Sequence, residues 1–380
     1  MTVEVDEARL DDAAALRAAD PGGMLRAVAS SGAQVREAVT LAAEAGLERL
    51  AAEGRPRAFV VAGMGGSAIA GDVLAAVAGT GCPVPVLVHR GYGLPGWVGP
   101  ADLVAGVSCS GSTEETLSAL DEAQRRGCRL LAVGAAGSPL EQRAERARAP
   151  FVPAPLGRQP RASVWALSTP LVLAGSALGL LHAPPAALEA TATRLDEISA
   201  ICRPDSDAFV NPAKALALEL RETLPLVWGG SPLAGVAAYR FSCQLNENAK
   251  YPAVPGAVPE ATHNQVVTFD GPFARGSDDP DDLFRDRVDG PAAAPRLRLV
   301  LLRDPDEHPR ARRRCEVSKD IAAQRGVPVS EVAAVGGTPL ERLASLVGLT
   351  DFASVYLALL YGVDPTPVAA IEDVKERIRG

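Results

Sequence analysis

Lysine is nearly missing from this 380-residue chain: Lys214, Lys250, Lys319 and Lys375 are the only four, and arginine supplies the rest of the positive charge. The formal net charge is −8 and no basic run interrupts it. Without such a run the electrostatic footprint of a nucleic-acid binder is absent, and no nucleic-acid partner is expected. Aromatics make up only 4% of the residues, so the cores must be built from Ala, Val and Leu. The six cysteines are scattered and form no C-x-x-C pair. With four histidines (His89, His182, His263, His308) no zinc spacing arises, so no metal is expected, and free thiols in a reducing compartment fit best. The first residues are acidic rather than basic and then apolar, unlike a secretory leader, and a cytoplasmic location is expected. The longest apolar run, 164–181, reaches membrane length but contains Ser168, Thr169, Pro170 and Ser176. It reads as a buried helix, with no membrane partner.

What is present is a repeating alternation of strand-like and helix-like segments. Continuous apolar strands such as "AFVVAG" and "DLVAGVS", separated by helical stretches, imply a parallel sheet covered on both faces. The alternation restarts in the second half. Gly65-Gly66-Ser67-x-x-Ala70-Gly71 matches Gly229-Gly230-Ser231-x-x-Ala234-Gly235, an offset of 164, and 123–144 resembles 322–344, an offset of about 200. The difference corresponds roughly to a polar, Pro/Gly/Asp-rich insertion at 270–296, expected to be a surface loop. Two copies of one α/β unit follow, 1–195 and 205–380. The copies differ: the first has the hydroxyl-rich turn "SCSGSTEET", 108–116, whereas the second has charged "DPDEHPR" after its strand. That asymmetry suggests one ligand pocket built by both halves rather than two equal sites.

Gly63, Gly65 and Ala68 fit the dinucleotide fingerprint G-x-G-x-x-G/A. The fingerprint needs an acid at the end of the next strand, and "PVPVLVH" ends in His89 and Arg90 instead. A second reading uses the two turns 63–67 and 108–113 together. Both fall at the carboxyl ends of strands, where ligands bind in open parallel sheets. Both lead into helix N-termini, and glycines there let an anion approach the backbone. Gly66, Ser67, Ser108, Ser110, Ser112 and Thr113 suit a phosphate monoester. The competing reading is that these hydroxyls only cap helices.

In the second half, 237–256 reads as a helix stopped near Pro252, with Phe241, Leu245 and Ala249 on its apolar face. Arg240, Gln244 and Glu247 form a polar stripe, either solvated or carrying a carboxylate base. His263 lies before a strand-like "QVVTF". The last segment predicts a helix with Thr366 as N-cap and Pro367 first. Val368, Ile371, Val374 and Ile378 form its buried stripe, and Lys375 lies at the stripe's edge.

"GMGGSAIAGD", "SCSGSTEET", "PRASVW", "NENAKYP" and "THNQVV" occur in that order. With them the chain, from about residue 20 to its end, resembles the bifunctional phosphoglucose/phosphomannose isomerase family, built from two sugar isomerase (SIS) domains. The resemblance implies two three-layer α/β/α sandwiches with parallel sheets, related by internal duplication. It implies a sugar-phosphate substrate held by Gly66, Ser67, Ser108, Ser110 and Thr113. Glu247 would be the base, Arg161 would stabilise an enediolate, and His263 and Lys375 would assist ring opening, with no cofactor or metal. It also implies a homodimer and leaves open whether His263 serves its own or the partner's site. Cys109, between Ser108 and Ser110, departs from the family pattern, and the insertion is longer than a minimal member needs. The expected activity is aldose–ketose isomerisation between glucose 6-phosphate or mannose 6-phosphate and fructose 6-phosphate. A non-catalytic sugar-phosphate-binding regulatory SIS protein is the alternative, but it has no need of Glu247, His263 and Lys375. A different SIS isomerase or an amino-sugar enzyme is a further possibility, and no glutaminase-like N-terminal cysteine supports the latter.

Overall fold

A computed structural model describes residues 7–154, 157, 159–274 and 296–379; most of the expected 270–296 insertion lies outside the described residues. Two short helices, α1 (Ala13–Ala19) and α2 (Met24–Ala29), lead into α3 (Ser31–Glu44). There follow β1 (Phe59–Ala62), α4 (Gly65–Ala78), β2 (Val86–His89), β3 (Leu103–Ser108), α5 (Glu114–Arg125), β4 (Arg129–Ala135), α6 (Pro139–Ala147), β5 (Phe151–Ala154) and α7 (Val164–Ala177). α8 (Pro185–Ile201) and α9 (Pro212–Leu220) precede β6 (Thr223–Gly229), α10 (Pro232–Asn248) and β7 (Val254–Ala257). The chain continues through β8 (Arg296–Arg303), α11 (Pro309–Gln324), β9 (Val329–Ala333), α12 (Pro339–Leu360) and α13 (Ala369–Arg379).

The strands form two all-parallel sheets, ordered β2-β1-β3-β4-β5 and β7-β6-β8-β9. Apart from the extra β5, the two orders correspond strand for strand, so the duplication expected from the sequence is present in the topology. The turns repeat it too. The Glu141 carboxylate accepts the Gly137 amide while Ser138 caps α6, and the Glu341 carboxylate accepts the Gly337 amide while Thr338 caps α12, an offset of 200 residues. Both are variants of the capping box in which the glutamate reaches back to the glycine before the cap rather than to the cap residue's own amide.

Alternation along the first sheet builds its layers. Phe59, Val61, Ala105, Leu131 and Val133 pack with Leu74 of α4 and Leu167 and Leu171 of α7 on one face. Val60, Val104, Leu130 and Ala132 pack with Leu120 of α5 and Leu140 of α6 on the other. In the second sheet Trp228, Leu299 and Leu301 pack with Cys315 and Ala322 of α11, while Val227, Val300 and Leu302 point oppositely and are equally buried.

By packing, the chain falls into two compact units that are discontinuous in sequence. One joins residues 29–197 to 336–344; the other joins the described residues of 1–28 to those of 198–335 and 345–380. Within the latter, the Asp11 carboxylate accepts the Ala208 amide and Tyr356 donates to the Cys202 carbonyl.

Most of the 164–181 run is the buried helix α7, as expected, which ends at Ala177. α12 alone among the described helices is long and apolar enough to cross a membrane, and 94% of its apolar window is buried inside the protein. Three expectations are corrected. "QVVTF" is a 3-10 turn over Gln265–Asp270, not a strand. Asn264 accepts the Gln265 amide and Thr268 donates to the Gln265 carbonyl, so local side chains take the backbone groups a ladder would need. α13 begins at Ala369, after Asp364 accepts the Thr366 amide, rather than at Pro367. The α13 stripe is exposed, not buried: Ile371, Val374 and Ile378 are 42%, 56% and 71% accessible. The amphipathic period is real, but among the described residues nothing covers it.

Candidate active site

Gly66, Ser67, Ser108, Ser110, Thr113 and Arg161 all belong to the unit built on the first sheet. Both hydroxyl turns sit at the carboxyl ends of its adjacent strands β1 and β3. Ser67 is buried and its oxygen accepts the Cys109 amide at 3.2 Å, joining the two turns. Ser108 shares a 2.8 Å hydrogen bond with Thr113 and a 3.4 Å contact with Ser110, and Ser110 in turn accepts the Ser112 amide and hydroxyl. Gly111 has φ +66°, and a Cβ there would lie 2.1 Å from the Ser138 hydroxyl, so only glycine closes this turn.

Ser138, Asn211 and Ser231 cap their helices through side-chain oxygens. Met64 before α4 and Thr113 before α5 make no such bond. Thr113 spends its hydroxyl on Ser108 instead, and the Gly65 and Gly66 amides have no hydrogen-bond partner among the described residues. Uncapped helix starts on neighbouring strands leave amide donors and positive dipole ends for an anion. Cys109 does not interfere: its side chain packs on the core, and burial raises its thiol pKa against a partly offsetting hydrogen bond to Ser163. Arg161 lies in the 3-10 turn Pro160–Ala162, and the Pro160 carbonyl is 4.0 Å from where a Cβ on Gly66 would stand.

Arg90 is ion-paired with Asp72 of α4, so the strand end that a dinucleotide would need is already spoken for. Burial raises the Asp72 carboxyl, with Arg90 opposing it.

Glu247, His263 and Lys375 belong to the other unit. Glu247 is half-buried in the last turn of α10. His263 is exposed at the end of the 3-10 turn Glu260–His263. Lys375 is exposed on α13 and is without a partner among the described residues. The stripe on α10 is neither solvated nor wholly a cleft lining. Arg240 makes a two-pronged pair with Asp351 of α12 at 2.7 and 3.0 Å, each side chain 2% exposed, and Gln244 donates to the same carboxylate. Asn248 donates to Ser354 one turn on. Burial raises the Asp351 carboxyl, and Arg240 offsets this in part.

The second glycine turn is filled by the protein itself. Ser231 donates to Asp304 at 2.8 Å. A Cβ on Gly230 would lie 2.2 Å from the Glu307 carboxylate, which also accepts the Asp304 amide and pairs with Arg303. In the sequence this segment is only a charged "DPDEHPR"; an acid three residues after an acid at a strand end is the available signal.

Among the described residues no three His, Cys, Asp or Glu side chains gather as a metal site, and all six cysteines are free. A protein of Caldicellulosiruptor bescii named bifunctional phosphoglucose/phosphomannose isomerase is 33% identical over 319 residues, 84% of this chain and 88% of that one. The chain belongs to the bifunctional phosphoglucose/phosphomannose isomerase family. A member from Aquifex aeolicus is 31% identical over 85% of this chain and 91% of its own. Residues 209–378 match the family model described as the bacterial phospho-glucose isomerase C-terminal SIS domain. A crystal structure of a hypothetical protein from Thermus thermophilus has the same fold, with TM-score 0.72 and 18% identity, covering 96% of this chain and 93% of that one.

Proposed function

We propose that this protein interconverts glucose 6-phosphate and mannose 6-phosphate with fructose 6-phosphate. Membership of the phosphoglucose/phosphomannose isomerase family supports this most, together with Glu247, His263 and Lys375 standing at its motif positions. The Gly66 amide and the hydroxyls of Ser67, Ser108, Ser110 and Thr113 hold the phosphate, away from the reacting carbons, and fix the substrate's position. His263 and Lys375 assist ring opening by moving a proton from the O1 hydroxyl to the ring oxygen. Glu247 takes the proton from C2 of the open-chain aldose and returns it to C1. Arg161 stabilises the enediolate oxygens while charge is on them. Glucose and mannose differ only at C2, so both give the same enediolate once that proton is gone, and one base serves both sugars. No metal is needed in this scheme. The protein acts as a homodimer in the cytoplasm.

A coupled assay with each hexose 6-phosphate in EDTA, on wild type and Glu247→Gln, tests the reading. Expected is activity that survives chelation and falls about 100-fold or more in the variant. Full activity in the variant removes Glu247 as base. Binding of fructose 6-phosphate without turnover of either aldose favours the regulatory sugar-phosphate binder.

A further inference from the structure

Lysine is used so rarely here that its placements carry information. Lys214 is buried and donates to the Pro204 and Ser206 carbonyls at 2.8 and 2.6 Å. Lys319 pairs with Glu331 on the surface. Lys250 does something different: its ammonium reaches two segments more than a hundred residues apart. It donates to the Glu247 and Asn248 carbonyls at 3.1 and 3.3 Å, in the last turn of α10. It also donates to the Asp364 and Pro365 carbonyls at 3.0 and 3.4 Å, in the connection that starts α13.

The backbone accommodates this at a cost. Lys250 has φ +54°, the left-handed conformation that glycine normally supplies just past a helix C-terminus. A lysine there carries strain that glycine would not, and what it gains is a cation on the carbonyl end of the helix dipole. Tyr251 continues the turn by donating its amide to the Leu245 carbonyl at 3.0 Å. On the other side, Asp364 accepts the Thr366 amide at 2.9 Å, so the carbonyls that Lys250 holds belong to an ordered turn. Beyond that turn α13 is exposed from 369 to 378, and its placement therefore depends on its root.

We propose that Lys250 is a positioning residue, clamping the end of α10 that bears Glu247 to the root of the helix that bears Lys375. The clamp rests on the roles given above to Glu247 and Lys375. It acts through backbone carbonyls, so it fixes where the two side chains start without touching substrate. Small displacements of a reacting group are expensive, about 100-fold for 1 Å, which is the scale such a clamp controls.

The test compares Lys250→Met, Lys250→Arg and Glu247→Gln in the full chain, by steady-state kinetics with fructose 6-phosphate and by amide hydrogen exchange. Lys250→Met keeps length but loses every donor. Expected is a fall in kcat of about 10-fold or more with KM moved less than about threefold. Expected also is faster exchange at 364–372 while the β6 and β8 amides keep theirs, and recovery of most of both by Lys250→Arg. Wild-type kcat, or unchanged exchange at 364–372, in the Met variant overturns the clamp. Should the Met variant not fold, Lys250→Gly removes the ammonium and relieves the left-handed strain, with the same two outcomes. Full activity in Glu247→Gln sinks the site reading whatever Lys250 does. An inactive Glu247→Gln beside a wild-type Lys250→Met sinks the clamp alone.

Discussion

Ser231 donates its hydroxyl to Asp304 at 2.8 Å, whereas its counterpart Ser67, in the other copy of the turn, accepts an amide from Cys109. The same glycine turn thus meets a carboxylate in one copy and a second hydroxyl turn in the other. With the Glu307 carboxylate seated against Gly230, the second cradle is closed by the chain's own anions, and its role is architectural.

Removing that internal anion should cost stability rather than catalysis. Glu307→Ala leaves the Asp304 amide and the Arg303 guanidinium short of a partner and is expected to destabilise by about 1–3 kcal/mol. Urea midpoints read the loss, and KM for fructose 6-phosphate is expected to stay within about twofold of wild type.

The first cradle should behave in the opposite way. Ser110 is exposed and accepts from Ser112, and Ser67 reaches across to the other turn. Ser67→Ala and Ser110→Ala each remove a donor to a charged phosphate, worth about 1.5–3 kcal/mol, or roughly 10- to 150-fold in KM. Thermal midpoints should move little for Ser110→Ala. A KM unchanged in both variants would take the phosphate away from these turns.

Arg240 and Asp351 form a pair that is safer absent than halved. Asp351→Ala takes the charge partner from a guanidinium that is 2% exposed, and a loss of about 3–5 kcal/mol is expected. Replacing both, as Arg240→Met with Asp351→Leu, should recover most of it, as measured by denaturant unfolding. A double variant as unstable as the single one would mean that the pair adds net stability.

The pH dependence of Glu341 has a definite sign. Burial alone would raise its carboxyl, but the Gly337 amide at 2.8 Å and the Arg194 guanidinium at 3.0 Å prevail and hold it below the usual carboxylate value. A depressed folded-state pKa stabilises the fold above the unfolded pKa, about 4.3, and that contribution is lost as pH falls through the folded value. Glu341→Gln is expected to lose about 1 kcal/mol at neutral pH. The gap to wild type should close in acid, as read by urea midpoints at about pH 7 and about pH 3.

The layers and the duplication are legible in the sequence because both rest on local rules. Gly137-Ser138-Pro139 and Gly337-Thr338-Pro339 announce their turn chemistry in residue types alone. The uncapped state of α5 is not legible, since a threonine before a helix reads as a cap whether or not it serves as one. "QVVTF" misleads because β-branched residues signal a strand, while Asn264 and Thr268 satisfy the backbone locally. On α13 the period is right and the burial wrong, because periodicity reports a face and not what lies against it. What Arg240 and Lys250 do is hidden for a related reason: their partners, Asp351 and the carbonyls of 364–365, are distant in sequence.

The discontinuous units also bear on how the chain is made. Residues 7–28 leave the ribosome long before the segments at 198–335 and 345–379 that they pack with. Residues 336–344, which pack with the unit at 29–197, emerge long after it. All five strands of the first sheet have been made by Ala154, so that sheet can form early and its unit then waits only for residues 336–344. Slowing translation should therefore let the first sheet assemble well ahead of the second, whose last strand ends at Ala333.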